Sequence, residues 1–244
     1  MKLKTLIPLS LSALILPSCI GSISNVLEPK GPMSEQTRQM QQVKSLSSSA
    51  GITAEYIQAD SLSLIVEAPE DIIDLVETKF ADSTLTIGFS KAVNLKNTSV
   101  TIKISAPGIT NFTAASGSDI VIPTGLNFKG KDISISGSSG ANIIAASKVS
   151  ATNISILSAS GSEITIDSIA AETVNAQSSS GSEITIIGTC DTINLLSASG
   201  SEISAARLKA TTGTASASSG SEIDCNIINP ISIQKASGGS VSNI

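Results

Sequence analysis

The sequence Ser-Gly-Ser-Glu-Ile-Thr-Ile at residues 160–166 is repeated without change at residues 180–186. Related Ser-Gly pairs occur at seven places, and their glycines are separated by 23, 21, 20, 19, 20 and 18 residues. The seven glycines are Gly117, Gly140, Gly161, Gly181, Gly200, Gly220 and Gly238. A nearly fixed period of this size is typical of repeat proteins, in which neighbouring units bury each other's apolar sides. The repeat therefore predicts the fold better than it predicts the function.

Alignment of the units on their glycines shows which positions face inward. The third residue after the glycine is isoleucine in six units: Ile120, Ile143, Ile164, Ile184, Ile203 and Ile223. A second apolar set stands seven and five residues before the glycine: Ile133 and Ile135, Ile154 and Ile156, Val174 and Ala176, Ile193 and Leu195, Ile231 and Ile233. A spacing of two is the period of a β-strand. Each unit therefore contains at least two short strands with one side buried.

A unit of this length restricts the architecture. A strand–helix–strand crossover needs about thirty residues or more, whereas a turn of a β-solenoid with three short strands needs about twenty. Successive turns of a solenoid stack in parallel, about 4.8 Å apart, and glycine at the corner permits a positive φ. We therefore predict an all-β protein, a right-handed parallel β-helix over residues 109–244.

Residues 45–108 do not share the period. They predict four strands, at residues 51–59, 61–68, 83–89 and 99–105, and a loop or short turn of helix at residues 70–75. We expect this segment to be an N-terminal β cap that covers the open end of the solenoid and forms one domain with it. The carboxyl end has no equivalent cover in the sequence.

The amino terminus has the pattern of a bacterial secretory signal. Lys2 and Lys4 precede an apolar run at residues 6–16, which is too short to remain as a membrane-spanning helix, and Cys19 follows a small residue. The pattern resembles a lipobox, and it predicts that residues 1–18 are a signal peptide and that Cys19 is lipidated. Residues 19–44 are then a flexible tether, with room for a short helix near its end. The alternative is a buried apolar helix that ends at an ordinary cysteine.

Composition argues against several classes of function. The chain of 244 residues has 15 Lys and Arg against 20 Asp and Glu, so we expect no nucleic-acid partner. It has no histidine, which is the commonest general base and metal ligand at neutral pH. The regular turns also leave no room for the long loops that build a cleft. We expect a protein that is not an enzyme and has no cofactor.

Acidic residues recur two positions after the corner glycine, directly before the inward isoleucine, so they must point outward. They are Asp119, Glu163, Glu183, Glu202 and Glu222, with Asn142 interrupting the row. We treat them as a candidate contact or cation face, because hard cations prefer several carboxylate oxygens. The alternative is a solvated edge that keeps the solenoid soluble. The Gly-Asp nonapeptide pattern of calcium-binding solenoids is absent, so no metal site is assigned.

The serines and cysteines of the repeat are interpreted from their positions relative to the corner glycine. The serines beside the glycines predict either hydrogen-bonding caps of the corner or a flat hydroxylated recognition surface, and the caps are the simpler interpretation. Cys190 and Cys225 lie nine and five residues after their glycines. These different phases place them at different points of the coil, so we expect no disulfide between them and interpret both as small core residues.

Several motifs together resemble one known family. These are the lipobox leader, the segments LSLIVE at 62–67, LTI at 85–87 and VTIKISAP at 100–107, and the Ser-Gly-Ser-Asp/Glu-Ile units that follow. Over about residues 45–244 the chain resembles the family described as "putative auto-transporter adhesin, head GIN domain". The resemblance implies a β-helical fold and an envelope location, and it supplies no catalytic residues.

We therefore expect a lipid-anchored protein of the outer membrane, on its periplasmic side or at the cell surface. It would present a rigid solenoid for adhesion or structural contact with an unidentified protein or glycan. The alternative is a carbohydrate- or calcium-binding module that uses the serine and acidic ladders.

Overall fold

The computed structural model describes residues 26–91, 93–96 and 99–244, and the described chain is almost entirely β-structure. The strands are β1 (Val26–Leu27), β2 (Met33–Arg38), β3 (Ser45–Ser48), β4 (Thr53–Gln58), β5 (Ser63–Pro69), β6 (Val76–Ala81), β7 (Thr84–Phe89), β8 (Asn94–Leu95), β9 (Thr101–Ala106), β10 (Asn111–Ala115), β11 (Asp119–Ile122), β12 (Leu126–Ser138), β13 (Asn142–Ala159), β14 (Glu163–Ser179), β15 (Glu183–Ala198), β16 (Glu202–Ser218), β17 (Glu222–Ala236) and β18 (Ser240–Asn243). A 3-10 helix spans Ile73–Leu75, where a loop or short helical turn was predicted. The predicted signal peptide and Cys19 lie outside the described residues.

Each Ser-Gly pair forms the same sharp corner. Both residues have a positive φ, for example 57° at Ser180 and 68° at Gly181. The chain then closes a tight turn, as where the N–H of Ser162 donates to the carbonyl of Ala159 at 3.3 Å. Two consecutive positive φ angles suit glycine, and the serine adopts one of them at an energetic cost. The pairs therefore place one sharp corner in each turn of the repeat.

The turns stack in parallel and in register, which confirms the predicted β-solenoid. The inward isoleucines three residues after each glycine pair in sequence along the axis, from Ile120 through Ile143, Ile164, Ile184 and Ile203 to Ile223. Each is 0% exposed. From β13 to β17 one strand runs from each corner to the next and bends where its register shifts, as between Ala145 and Lys148. The right-handed sense of the coil stays a prediction.

The first turn of the coil lies earlier than predicted, inside the segment interpreted as a cap. β3 pairs in parallel with β10 and β4 with β11, and between them Ala50 and Gly51 form a corner with φ of 64° and 73°. The first corner has alanine in place of serine, and 66 residues separate its glycine from the next one, so the repeat pattern does not reveal it.

The long segment between the first and second turns contains β5 to β9. β7 and β9 continue the parallel stack on β3 and β4, and β5 and β6 then pair with them in antiparallel fashion. The four strands predicted here are present as β4, β5, β7 and β9, whereas β3, β6 and β8 were missed. The capping role of this segment stays a prediction.

The prediction of a flexible tether over residues 19–44 is wrong for β2, and the short helix near its end is also wrong. Met33–Arg38 pairs along its whole length with β5. Arg38 fixes the strand, because its guanidinium donates to the carbonyl of Val76 at 2.8 Å and to that of Ile73 at 3.1 Å. These backbone acceptors belong to another part of the chain, so local apolar periodicity could not have revealed them.

The carboxyl end is covered only in part. The side-chain amide of Asn243 takes the place of a neighbouring backbone at Ile227. Its Oδ1 accepts from the Ile227 N–H at 2.7 Å, and its Nδ2 donates to the Ile227 carbonyl at 3.0 Å. Ile231 and Ile233, which were predicted to face inward, are 72% and 39% exposed. Pro230 pairs with Gly213 and the register then shifts at Ile231, and no later turn covers this part of β17.

Cys190 and Cys225 are free and buried, which confirms their assignment as small core residues. Burial, and then the nearby Asp191, raise the pKa of the Cys190 thiol to about 12. Burial, with Asp224 as the smaller cause, raises that of Cys225 to about 11. Both thiols are therefore protonated and unreactive at neutral pH.

A second serine set lies inside the corners and joins successive turns. Ser182 is 2% exposed, and its Oγ lies 2.9 Å from Ser178 Oγ and 2.7 Å from the carbonyl oxygen of Ser158 in the preceding turn. The N–H of Ser179 donates to the same Oγ at 3.1 Å. Equivalent bonds recur at Ser201. This set caps the corner, which agrees with the simpler of the two interpretations of the serines.

We predict that Ser182→Ala lowers the free energy of unfolding by about 1–3 kcal/mol, because it removes the hydroxyl that accepts from the half-buried Ser179 N–H and donates to the buried Ser158 carbonyl. Urea unfolding followed by circular dichroism measures the change. Ser155→Ala is the matched control, since Ser155 is exposed on an outer column, and it should change stability by less than about 0.5 kcal/mol. Equal effects of the two substitutions would show that the corner bonds are not important for stability.

Candidate functional site on the outer faces of the solenoid

The predicted acidic residues form one straight row, which we call the acidic ladder. Register pairing places Asp119 beside Asn142, Asn142 beside Glu163, and then Glu183, Glu202 and Glu222 on successive turns. The four glutamates are exposed and Asp119 is half-buried, so the ladder lies on the outside of the coil as predicted. Parallel stacking spaces successive carboxylates about 4.8 Å apart.

The ladder carries negative charge that forms no ion pair with the described residues. In the described part of the chain, ion pairs join Lys79 to Glu77 and Lys103 to Glu67, and neither involves the ladder. Its short-range partners are neutral: Thr53 Oγ1 donates to Asp119 at 3.4 Å. Mutual repulsion is tolerated because water screens exposed charges.

Glu202 lies between Glu183 and Glu222 in the ladder. Partial burial is the largest cause of a raised pKa at Glu202. Repulsion from Glu183, Glu222 and Asp224 raises this pKa further. A raised pKa means that the folded protein holds this proton more tightly than the unfolded chain does.

The ladder has the geometry of a charged row and not of a metal cage. Calcium takes six to eight oxygens that converge on one point, whereas the ladder offers one side chain per turn along a line. Among residues 26–91, 93–96 and 99–244, no group of three His, Cys, Asp or Glu side chains could hold a metal ion. The calcium alternative therefore has no support from these residues.

A second outer face is uncharged, and the sequence analysis did not single it out. It consists of the outward positions eight, six and four residues before Gly161, Gly181, Gly200 and Gly220. These positions are occupied by Asn153, Thr173, Thr192 and Thr212; by Ser155, Asn175, Asn194 and Thr214; and by Leu157, Gln177, Leu196 and Ser216. We call these rows the neutral face. Asp132 lies at the edge of this face and accepts a hydrogen bond from Asn153 Nδ2 at 2.7 Å. The sequence feature that could have revealed this face is the absence of charge at the positions that alternate with the inward apolar residues.

Hydrogen bonds between turns hold part of the neutral face in order. Asn194 Nδ2 donates to Asn175 Oδ1 at 2.9 Å, and Thr214 Oγ1 donates to Asn194 Oδ1 at 3.0 Å. Leu157 and Leu196 are each 45% exposed, on either side of Gln177. This face can therefore make both polar and apolar contacts with a flat partner.

The outer side chains are arranged for contact along the axis of the coil. The strands from β13 to β17 connect directly through Ser-Gly corners, so no long loop folds over either face. A depression of about 270 Å³ crosses the neutral face between Ser155 and Gln177. Across the ranges that the structure describes, no helix combines the length and hydropathy needed to cross a membrane.

These features define a class of protein: a β-solenoid that presents ordered rows of side chains on flat faces. A model of the family described as "Putative auto-transporter adhesin, head GIN domain" matches residues 43–244. The chain belongs to this family, which confirms the resemblance seen in the sequence. No curated protein matches the chain by sequence.

Solved structures share the fold. One, described as a putative lipid binding protein from Parabacteroides distasonis ATCC 8503, has a TM-score of 0.80 at 18% identity and covers 90% of this chain and 100% of its own. A putative adhesin from the same strain has a TM-score of 0.76 at 13% identity, with the same coverage. A putative adhesin from Parabacteroides merdae ATCC 43184 has a TM-score of 0.73 at 13% identity and covers 91% and 100%. These likenesses show the fold.

We predict that Glu202→Gln stabilises the protein at pH 7, by less than about 1 kcal/mol because the carboxylates are exposed. The raised pKa of Glu202 stabilises the fold below the ordinary glutamate pKa of 4.5, and this contribution is lost as the pH rises through the raised value. The gain should therefore disappear near pH 4 and shrink in 1 M salt, which urea unfolding can measure.

Glu70→Gln is the control for this substitution, because Glu70 is exposed and lies outside the ladder. It should leave stability at pH 7 unchanged. A destabilising effect of Glu202→Gln at pH 7 would contradict the account of repulsion along the ladder.

Proposed function

We propose that the protein is a non-enzymatic lipoprotein of the cell envelope, which presents its β-solenoid as a rigid surface for adhesion or structural contact. The in-register stack of β12 to β18 carries the proposal, because every turn is hydrogen-bonded to the next and the outer side chains stand in fixed rows. Preorganised rows lose little conformational entropy when they meet a partner. Membership of an adhesin-like family supports an envelope location.

The proposed anchor is a lipidated Cys19, after removal of residues 1–18. Several acyl chains on one cysteine hold a protein stably on a membrane, since each buried methylene contributes about 0.8 kcal/mol. The proposed location is the outer membrane, on its periplasmic side or at the cell surface.

The proposed contact face is the acidic ladder. Four stacked glutamates give a straight negative row without internal ion pairs, which suits a partner surface that carries cationic groups. The partner is then a protein or a glycan with basic groups. The same charge disfavours nucleic acid, whose phosphates would be repelled.

We predict that Cys19→Ala moves the protein from the membrane fraction to the soluble fraction and abolishes labelling by a fatty-acid analogue. Cell fractionation and gel fluorescence measure both effects. Cys190→Ala is the matched control, because it removes a buried thiol and should leave the protein in the membrane fraction. Persistence of Cys19→Ala in the membrane would exclude the proposed anchor.

We predict that cells carrying Glu163→Gln, Glu183→Gln, Glu202→Gln and Glu222→Gln together attach less well to a surface coated with a cationic polymer than cells carrying the wild-type protein. Attached cells are counted after washing, in a strain that lacks the native gene. The loss should reach several-fold, because four adjacent charges act together.

The control for this experiment removes the same amount of charge elsewhere, through Asp60→Asn, Glu70→Gln, Asp82→Asn and Asp167→Asn, which are all exposed and outside the ladder. Cells with the control protein should attach like the wild type. Equal loss in both strains would mean that total charge and not the ladder governs contact. Protection of the protein from protease on intact cells would place it in the periplasm and argue against adhesion to outside surfaces.

A further inference from the structure

One irregularity of the solenoid produces a lip on its side. The turn between Gly117 and Gly140 is the longest of the repeat, at 23 residues. Its additional residues are Lys129, Gly130 and Lys131, which fall within a register shift between Phe128 and Asp132 and pair with no residue of β13. Gly130 has a φ of 77°, which allows the chain to turn back. The lip therefore projects from an otherwise regular coil.

The lip is held in place from below. The Phe128 side chain is 3% exposed and lies above Ala151 of the next turn. The Lys131 ammonium lies 5.8 Å from the centre of the Phe128 ring, within the range of a cation–π contact. The buried Phe128 ring therefore fixes the position of the lip relative to the next turn.

Beside the lip lies a groove of about 440 Å³, which we call the lysine groove. Small residues form its floor, because Ser150, Ala170 and Thr189 are aligned on successive turns. Lys129 of the lip, Lys148 of β13, Thr152 and Glu172 also line it. The hydroxyls of Ser150, Thr152 and Thr189 form no hydrogen bond with the described chain, so they can donate to a ligand.

The charge of the lysine groove contrasts with that of the whole chain, whose formal net charge is −5. Neither Lys129 nor Lys148 forms an ion pair with a described residue. Lys131 of the same lip and Lys44 line a second groove of about 330 Å³, so each of the two grooves is lined by two lysines. Glu172 is the one carboxylate that lines the lysine groove among the described residues.

We propose that the lysine groove binds an anionic saccharide. Lys129 and Lys148 attract its phosphate, sulfate or carboxylate group, and the free hydroxyls of the floor bond to the sugar ring. The single carboxylate of Glu172 accepts hydrogen bonds from sugar hydroxyls. This proposal extends the proposed contact function to a second site, away from the acidic ladder. A recessed floor of small residues suits a sugar ring better than a flat anionic bilayer, which would reach only the lip.

The test uses the full chain with Cys19→Ala, which cannot bind vesicles through the proposed lipid anchor and needs no detergent, and it measures binding by isothermal titration calorimetry. The probes are oligogalacturonate as the carboxylated saccharide, a phosphorylated oligomannose, the uncharged oligomannose, and vesicles of phosphatidylglycerol without saccharide. We expect at least one anionic saccharide to bind, the uncharged oligomannose to bind at least about tenfold more weakly, and the affinity to fall as salt is added.

The decisive variant is Lys129→Ala with Lys148→Ala, which should weaken saccharide binding by about tenfold or more. The matched control is Lys96→Ala with Lys235→Ala, which removes the same charge from exposed positions outside the groove and should bind like the wild type. Circular dichroism verifies that both variants are folded, since all four lysines are exposed.

The proposal is overturned if neither anionic saccharide binds, if charged and uncharged saccharides bind alike, if the groove variant binds as well as the control, or if only the vesicles bind. None of these outcomes affects the attachment assay for the acidic ladder, in which both lysines remain unchanged. Failure of the groove and failure of the proposed contact function are therefore distinguishable.

Discussion

The fold depends on the corner in which two consecutive residues hold a left-handed backbone. At the corners from Gly51 to Gly220 the glycine N–H donates to the serine carbonyl of the following turn, for example from Gly161 to Ser180 at 3.2 Å and from Gly181 to Ser199 at 3.1 Å. A strained conformation is thus stabilised by the copy of itself in the next turn. Because the bend falls at the same place in every turn, the isoleucine column, the serines inside the corner and the glutamates outside it remain aligned over the whole coil.

The sequence predicts those parts of the fold in which the same residue types recur at the same position of each repeat. The column containing Ile164 and Ile184 was visible because one residue type recurs at one phase. The first turn was not visible, since alanine replaces serine at Ala50 and a long segment separates this corner from the next. β2 was missed because its pairing partner, β5, lies 30 residues further along the chain and its own residues are mostly polar. Burial of Ile233 would have required a further turn above it, which the local pattern cannot show.

The candidate sites also divide into those that the sequence reveals and one that depends on the folded structure. The acidic ladder followed from the sequence, because a residue next to an inward isoleucine on a strand must face outward. The neutral face could have been found by the same logic, since its outward positions alternate with Ile154 and Ile156 and bear no charge. The lysine groove could not, because it depends on a register shift at Phe128 and on floor residues from three different turns. The excess length of that turn was the only sign of it in the sequence.

Because residues 160–166 are identical to residues 180–186, the number of turns in the solenoid can change during evolution. Each turn contacts little beyond its two neighbours, so stability is close to a sum over neighbouring pairs. Recombination between two such repeats would delete or duplicate one whole turn without disturbing either end. Each such event would shorten or lengthen the acidic ladder by one glutamate, or about 4.8 Å. The reach of the molecule is therefore set by the number of copies of a short genetic unit, and it can be adjusted in single steps while the fold is conserved.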